Sequence, residues 1–165
     1  MRVLLLLLLM KAGAERLWRF HLRHSLRAPA PPPGSASGLT QLLLYCRVGI
    51  GFHLQILPDG SVAGVHRPDQ YCHLKVSSVS RGTVGIRGEA SGLFLCLNKE
   101  GGAYGSVTFT DDCQLRENLE ENLYTTYASH PGVYLALSHK GAARRGTRVS
   151  PRQACTHFLP RRIPK

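Results

Sequence analysis

Three segments of this chain repeat one another at nearly constant spacing, and that repeat limits the folds open to it. The first runs Leu54-Gln-Ile56-Leu-Pro-Asp-Gly60-Ser-Val-Ala-Gly64 and the second Leu95-Cys-Leu97-Asn-Lys-Glu-Gly101-Gly-Ala-Tyr-Gly105. The third is Leu135-Ala-Leu137-Ser-His-Lys-Gly141-Ala-Ala-Arg-Arg-Gly146. In each, two aliphatics alternate as a half-buried strand requires, and four residues later a Gly closes a turn. The leading Leu recurs after 41 and then 40 residues. The final Gly of the third copy arrives one residue late, which implies a slightly longer hairpin there.

Between the copies lie further short apolar or alternating runs: Leu74-Lys-Val76, Thr83-Val-Gly-Ile86, Ser106-Val-Thr-Phe109 and Thr156-His-Phe158-Leu159. After Leu26, no window of helical length shows a 3.6-residue period. Gln114 to Asn122 has some helical character, but Leu115 and Leu119 make only a weak stripe. The chain is therefore all-β. A period near 40 residues could suggest propeller blades, yet closed propellers take four to eight of them. Three units fit a closed threefold barrel, which removes edge strands and leaves the loops to carry binding residues.

The residues before the repeats read differently. Met1-Arg2, eight apolar residues from Val3 to Met10 and then Lys11-Ala12-Gly13-Ala14 describe a secretory signal peptide, cut after Ala14. That apolar stretch is well short of the roughly 20 residues that cross a bilayer. Residues 15–38 form a basic arm and then a Pro/Gly/Ser linker that cannot bury a core. A single domain is expected over residues 39–163, and the mature protein is expected to be secreted and extracellular.

Formal charge is +11 and unevenly placed. From Lys140 to Lys165 the chain carries eight Lys or Arg and no acid, while five of its ten acidic residues fall between Asp111 and Glu121. Like charges so concentrated point to an anionic partner, and the run from Lys140 to Arg152 reads as a polyanion site. Five cysteines, Cys46, Cys72, Cys96, Cys113 and Cys155, leave at least one unpaired. Cys96, between Leu95 and Leu97, reads as a small buried hydrophobe rather than a disulfide partner.

Five strings in register then carry a resemblance. Tyr45-Cys46-Arg-Val-Gly-Ile-Gly-Phe52-His-Leu-Gln-Ile with Pro58-Asp-Gly60 resembles the opening of the fibroblast growth factor core. Gly85-Ile-Arg-Gly88, Phe109-Thr-Asp-Asp-Cys113, Glu121-Asn122-Leu-Tyr124-Thr-Thr-Tyr127-Ala-Ser and Thr156-His-Phe-Leu-Pro160 continue it. The match runs from about Tyr45 to Arg161 and is most similar to the secreted subfamily of the fourth, fifth and sixth members.

The resemblance implies a β-trefoil of three repeats, a growth factor that activates receptor tyrosine kinases with heparan sulfate as co-ligand. It places Tyr45, Glu117, Asn122, Tyr124 and Leu159 at receptor-contact positions. Lys140, Arg144, Arg145, Arg148 and Arg152 fall in the family's glycine-flanked heparan sulfate loop. The chemistry suits both: Tyr offers broad contact with a polar tip, and Arg grips sulfate or carboxylate with a planar fork. Without the family, Tyr45 and Tyr124 read as strand packing residues. The chain departs from the family pattern at Tyr124-Thr125-Thr126-Tyr127, where Asn commonly follows the first Tyr, at His139, and at Leu42-Leu43-Leu44, where basic residues usually stand. Cys46 and Cys113 match family cysteines, whereas Cys72, Cys96 and Cys155 are peculiar to this chain.

Other functions fit less well. No nucleophile elbow, P-loop or His-Glu-x-x-His is present, so an enzyme is not expected, and no cofactor is implied. His66 with Cys72-His73 lacks a second close pair for a tetrahedral zinc site. Nucleic-acid binding suits the charge but not an exported chain, and no membrane insertion is expected. A lectin-like, glycan-binding trefoil without receptor activation is the alternative, although the only Trp, Trp18, lies outside the repeats.

Overall fold

The computed structural model describes residues 40–164. The signal peptide, arm and linker read from residues 1–38 lie outside the described residues. Eleven strands are present: β1 (Thr40–Cys46), β2 (Phe52–Ile56), β3 (Val62–Val65), β4 (Leu74–Ser80), β5 (Thr83–Gly88), β6 (Phe94–Leu97), β7 (Ala103–Ser106), β8 (Leu115–Leu119), β9 (Thr125–His130), β10 (Val133–Tyr134) and β11 (Phe158–Arg162). Among the described residues the only helical turns are four short 3-10 segments, and no helix is long and apolar enough to cross a membrane.

Antiparallel pairing runs β1–β4–β5–β8–β9–β11 and back to β1, which closes a six-stranded ring. Each ring strand sends one large side chain inward: Leu44, Leu74, Ile86, Leu115, Tyr127 and Phe158 are all at most 1% exposed. The six aliphatics of the repeats, Leu54, Ile56, Leu95, Leu97, Leu135 and Leu137, are buried completely and join the same cluster. Each such burial is worth about 2 kcal/mol, so the alternation read in the sequence is also the energetic centre of the fold.

The three turns are superposable in their hydrogen bonds. Leu57 N–H donates to Ser61 C=O and Gly60 N–H to Leu57 C=O; Asn98 with Gly102 and Gly101 repeats this, as does Ser138 with Ala142 and Gly141. Gly60, Gly101 and Gly141 sit at φ of 86°, 91° and 84°, a conformation that an L side chain rarely adopts. The turns also clasp one another in a cycle: Gly105 N–H donates to Gly60 C=O, Gly146 to Gly101, and Gly64 to Gly141. Hairpins β2–β3 and β6–β7, with a third made by Leu135–Leu137 against Ala142–Ala143, thus cap one end of the barrel. This is a β-trefoil.

The third repeat departs from the first two where the sequence places its late Gly. Its turn is the same length, and the extra residue lies in the return arm, where pairing shrinks to an isolated bridge between Leu137 and Ala143. From the turn glycine to the 3-10 segment that directly precedes the next ring strand there are ten residues in the first two repeats, Gly60 to Gln70 and Gly101 to Asp111. The third repeat takes thirteen, from Gly141 to Ala154. Those added residues sit in the basic run.

Two strand limits and the reading of Cys96 change. Gln114 to Asn122, whose apolar stripe is too weak for a helix, contributes strand β8 (Leu115–Leu119), paired from Arg116↔Ala128 to Leu119↔Thr125, because ring closure needs a strand between β5 and β9. Ser106 ends β7, and Phe109 leaves the sheet to pack with Cys96 and Cys113. Thr156 closes a 3-10 turn, so β11 begins only at Phe158. Cys96 is a disulfide partner after all, bonded to Cys113. The matching positions of the first repeat, 41 residues earlier, hold Gln55 and Cys72, where Gln55 Nε2 instead donates to Asp69 at 2.7 Å. Cys46, Cys72 and Cys155 remain free and buried.

Candidate functional site

Strands β1, β11 and β9 lie side by side on one flank of the barrel, and most of the expected receptor-contact residues meet there. Tyr45 on β1 stands opposite Leu159 on β11, which is 38% exposed. The Tyr45 ring lies across Gly51, where any Cβ would collide with the phenol. His53 meets the same ring edge-on at 5.5 Å, and the Arg161 guanidinium sits 5.6 Å above its centroid. Tyr124 enters just before β9. Asn122 Oδ1 accepts from Tyr124 N–H at 3.1 Å, which fixes the turn. Leu123, in between, is 72% exposed and has φ of 67°. Glu117 stands apart, exposed on β8 opposite Tyr127, and has no hydrogen bond to the other four among the described residues.

Three residues that the sequence did not single out bind this face together. The buried His157 ring stacks on Tyr124 at 5.8 Å, and the Arg47 guanidinium lies 5.1 Å from the centroid of the same Tyr124 ring. Arg161 does the same for Tyr45. Arg47 follows Tyr45 by two residues and Arg161 follows Leu159 by two, the strand period that puts them on one side. That much was available in the sequence. The role of His157 was not, because it depends on which loops pack on it.

The basic residues form a second surface. Lys140 sits in the third turn, Arg144 and Arg145 in the lengthened return arm, Arg148 in the 3-10 segment Gly146–Arg148, and Arg152 in the next turn; all five are exposed. The segment is folded, not loose: Arg148 N–H donates to Arg145 C=O at 3.1 Å, and Ser150 N–H to Gln153 Oε1 at 2.9 Å. It is pinned to the second hairpin by Gly146 N–H to Gly101 C=O and by Thr147 Oγ1 to Glu100 C=O. A Cβ on Gly146 would run into the Tyr134 carbonyl, so the chain needs glycine there to pack so closely. Among the described residues the ion pairs are Lys75–Glu89 and His130–Asp112, so none of the five basic side chains is neutralised by a carboxylate. Arg144 alone has a nearby partner, the Cys155 sulfur at 3.6 Å.

The Cys46 and Cys72 thiols offer no reactive centre. Burial pushes Cys46 and Cys72 up to about 11, so both stay protonated and inert at neutral pH. No group of three or more His, Cys, Asp or Glu among the described residues could hold a metal ion.

Comparison with known proteins identifies the family. Residues 40–159 match the sequence model of a family described as "Fibroblast growth factor". The chain is 49% identical over 120 residues to fibroblast growth factor 4 of Gallus gallus, covering 72% of this chain and 62% of that protein. It is 45% identical over 168 residues to fibroblast growth factor 4 of Bos taurus, covering 92% and 82%. It is 50% identical over 137 residues to fibroblast growth factor 5 of Homo sapiens, covering 77% of this chain and 51% of that protein.

Proposed function

The chain belongs to the fibroblast growth factor family, and we propose that it is a secreted ligand that activates receptor tyrosine kinases of the fibroblast growth factor receptor type. The family's members are signalling growth factors, not enzymes. In this reading residues 1–14 direct export, residues 15–38 tether the domain that follows, and the β1–β11–β9 flank meets the receptor through Tyr45, Asn122, Tyr124 and Leu159, with Glu117 at its rim. Lys140, Arg144, Arg145, Arg148 and Arg152 bind heparan sulfate. The glycan holds ligand and receptor at high effective concentration and so favours receptor dimerisation, which drives proliferation and differentiation.

The observation that carries the reading is that one family match, residues 40–159, spans both surfaces. The match covers the aromatic flank and the cation-bearing third repeat together. Arg and Tyr are the side chains most enriched where binding energy concentrates.

Receptor phosphorylation in receptor-expressing cells, read with and without heparin, tests the proposal. Tyr124→Ala should lower phosphorylation by roughly tenfold or more, the scale of a buried aromatic contact, while its elution from heparin is unchanged. Heparin binding without any phosphorylation would instead identify a glycan-binding trefoil that activates no receptor.

A further inference from the structure

Arg47 leaves β1 directly after Cys46, and its exposed guanidinium is held in place. Its Nε and Nη2 lie 3.0 and 2.9 Å from Nδ1 of His157, and its Cζ lies 5.1 Å from the Tyr124 ring centroid. No carboxylate pairs with it among the described residues. His157 itself is 3% exposed.

The imidazole's tautomer follows from its partners. Its Nε2 lies 2.7 Å from the Pro151 carbonyl oxygen, which can only accept, so Nε2 carries the hydrogen. Nδ1 then presents a lone pair, and the donors around it are Arg47 and, at 3.2 Å, Asn122 Nδ2. One buried acceptor therefore gathers Arg47, Asn122 and, by stacking, Tyr124. Two of the guanidinium's nitrogens are engaged by the imidazole, and Nη1 has no hydrogen bond among the described residues.

We propose that His157 is a positioning residue that holds Arg47 across Tyr124, and that Arg47 is a specificity-determining cation for a carboxylate on the receptor; this rests on the receptor reading above. Arg side chains lose much rotamer freedom on binding, and one already fixed by a ring and an acceptor has lost it beforehand. The Tyr124 and Leu159 surroundings exclude water once a protein covers them, which strengthens a charge pair there. A glycan sulfate would satisfy the same fork, but the Arg47 guanidinium lies over the Tyr124 ring, and an aromatic beside an arginine is a setting suited to a protein surface.

Binding of the full chain to an immobilised receptor ectodomain at several NaCl concentrations tests this. Arg47→Gln should weaken binding roughly tenfold, with the loss shrinking as salt rises. His157→Leu should produce a similar loss, and the Arg47→Gln/His157→Leu double variant should bind no worse than Arg47→Gln, since one acts through the other. His157→Asn, whose carbonyl oxygen stands near the Nδ1 position, should recover most of the binding. Additive losses, or an Asn variant no better than Leu, would overturn the positioning role. Weaker heparin elution by Arg47→Gln with receptor affinity intact would assign Arg47 to the glycan and end the proposal. Should His157→Leu fail to fold, Arg47→Gln leaves the core untouched and carries the test by itself. Full receptor affinity in Tyr124→Ala would sink the receptor reading, a result distinct from any of these.

Discussion

Replacing Arg144 and Arg145 together with Ala gives the clearest test of the proposed glycan surface, because the structure fixes how many charges are available. Five side chains between Lys140 and Arg152 are exposed and none is paired with a carboxylate among the described residues. Each cation that engages a sulfate releases condensed counterions, which adds about 0.7–0.9 to the slope of log K against log salt, by analogy with phosphate. Engagement of the whole set predicts a slope of about −4, and the double variant should have one of about −2.5. At 0.15 M NaCl the two missing charges then weaken binding roughly twentyfold, and near 1 M the two proteins should bind alike.

Titration calorimetry with a heparin-derived octasaccharide across a series of NaCl concentrations measures both slope and affinity. Arg67→Ala with Arg81→Ala is the matched control, since both arginines are exposed and lie outside the segment. Its slope should stay close to that of the parent protein. If the control pair lowers the slope as much as the Arg144/Arg145 pair, binding follows overall basicity and the assigned segment is wrong. Arg144 also approaches Cys155, so the single Arg145→Ala variant, expected to lose about half the effect, separates lost charge from disturbed packing.

Two further outcomes concern stability. The Cys96–Cys113 bond closes a loop with a sequence separation of 17, for which chain entropy predicts about 3 kcal/mol; Cys96→Ala with Cys113→Ala should lower the unfolding free energy in denaturant by that order, and a change under about 1 kcal/mol would mean the crosslink adds little constraint. Above pH 9 the unfolded thiols of Cys46 and Cys72 ionise while the folded ones, pushed up to about 11 by burial, do not. Stability present below pH 9 should therefore fall as pH climbs to 11, by about 2 kcal/mol per thiol, and Cys46→Ala with Cys72→Ala should flatten that decline in denaturation midpoint.

How much of this was legible in the sequence depends on the distance over which each feature is encoded. The repeat aliphatics, Leu54 and Ile56 and their two copies, are legible because alternation and a turn Gly are local patterns, and all six prove fully buried. Strand β8 is not, because nothing within Leu115–Leu119 says that it must fill the gap between β5 and β9. Cys96 misleads for the same reason: its neighbours Leu95 and Leu97 describe the strand, while its partner Cys113 comes from the following 3-10 turn. The relation does appear once the repeats are superposed, since Gln55 and Cys72 mark the same pair of positions 41 residues earlier.

The two candidate surfaces divide along that line as well. A run of cations without acids is one-dimensional, so Lys140 to Arg152 can be read off directly, and the three residues added to the third repeat lie within it. The aromatic flank needs three parts of the chain to meet: Arg47 after β1, Asn122 and Tyr124 before β9, and His157 before β11. Resemblance to a family can supply Tyr124 and Asn122, but it says nothing of the buried acceptor that orders them. A histidine between Thr156 and Phe158 looks like one more alternating strand residue. Only its Pro151 contact, which sets the tautomer, turns it into the lone pair on which Arg47 and Asn122 converge. On the proposed receptor reading, selectivity on this flank would follow from hydrogen-bond polarity inside the barrel wall, beneath the exposed residues that Nδ1 of His157 orders.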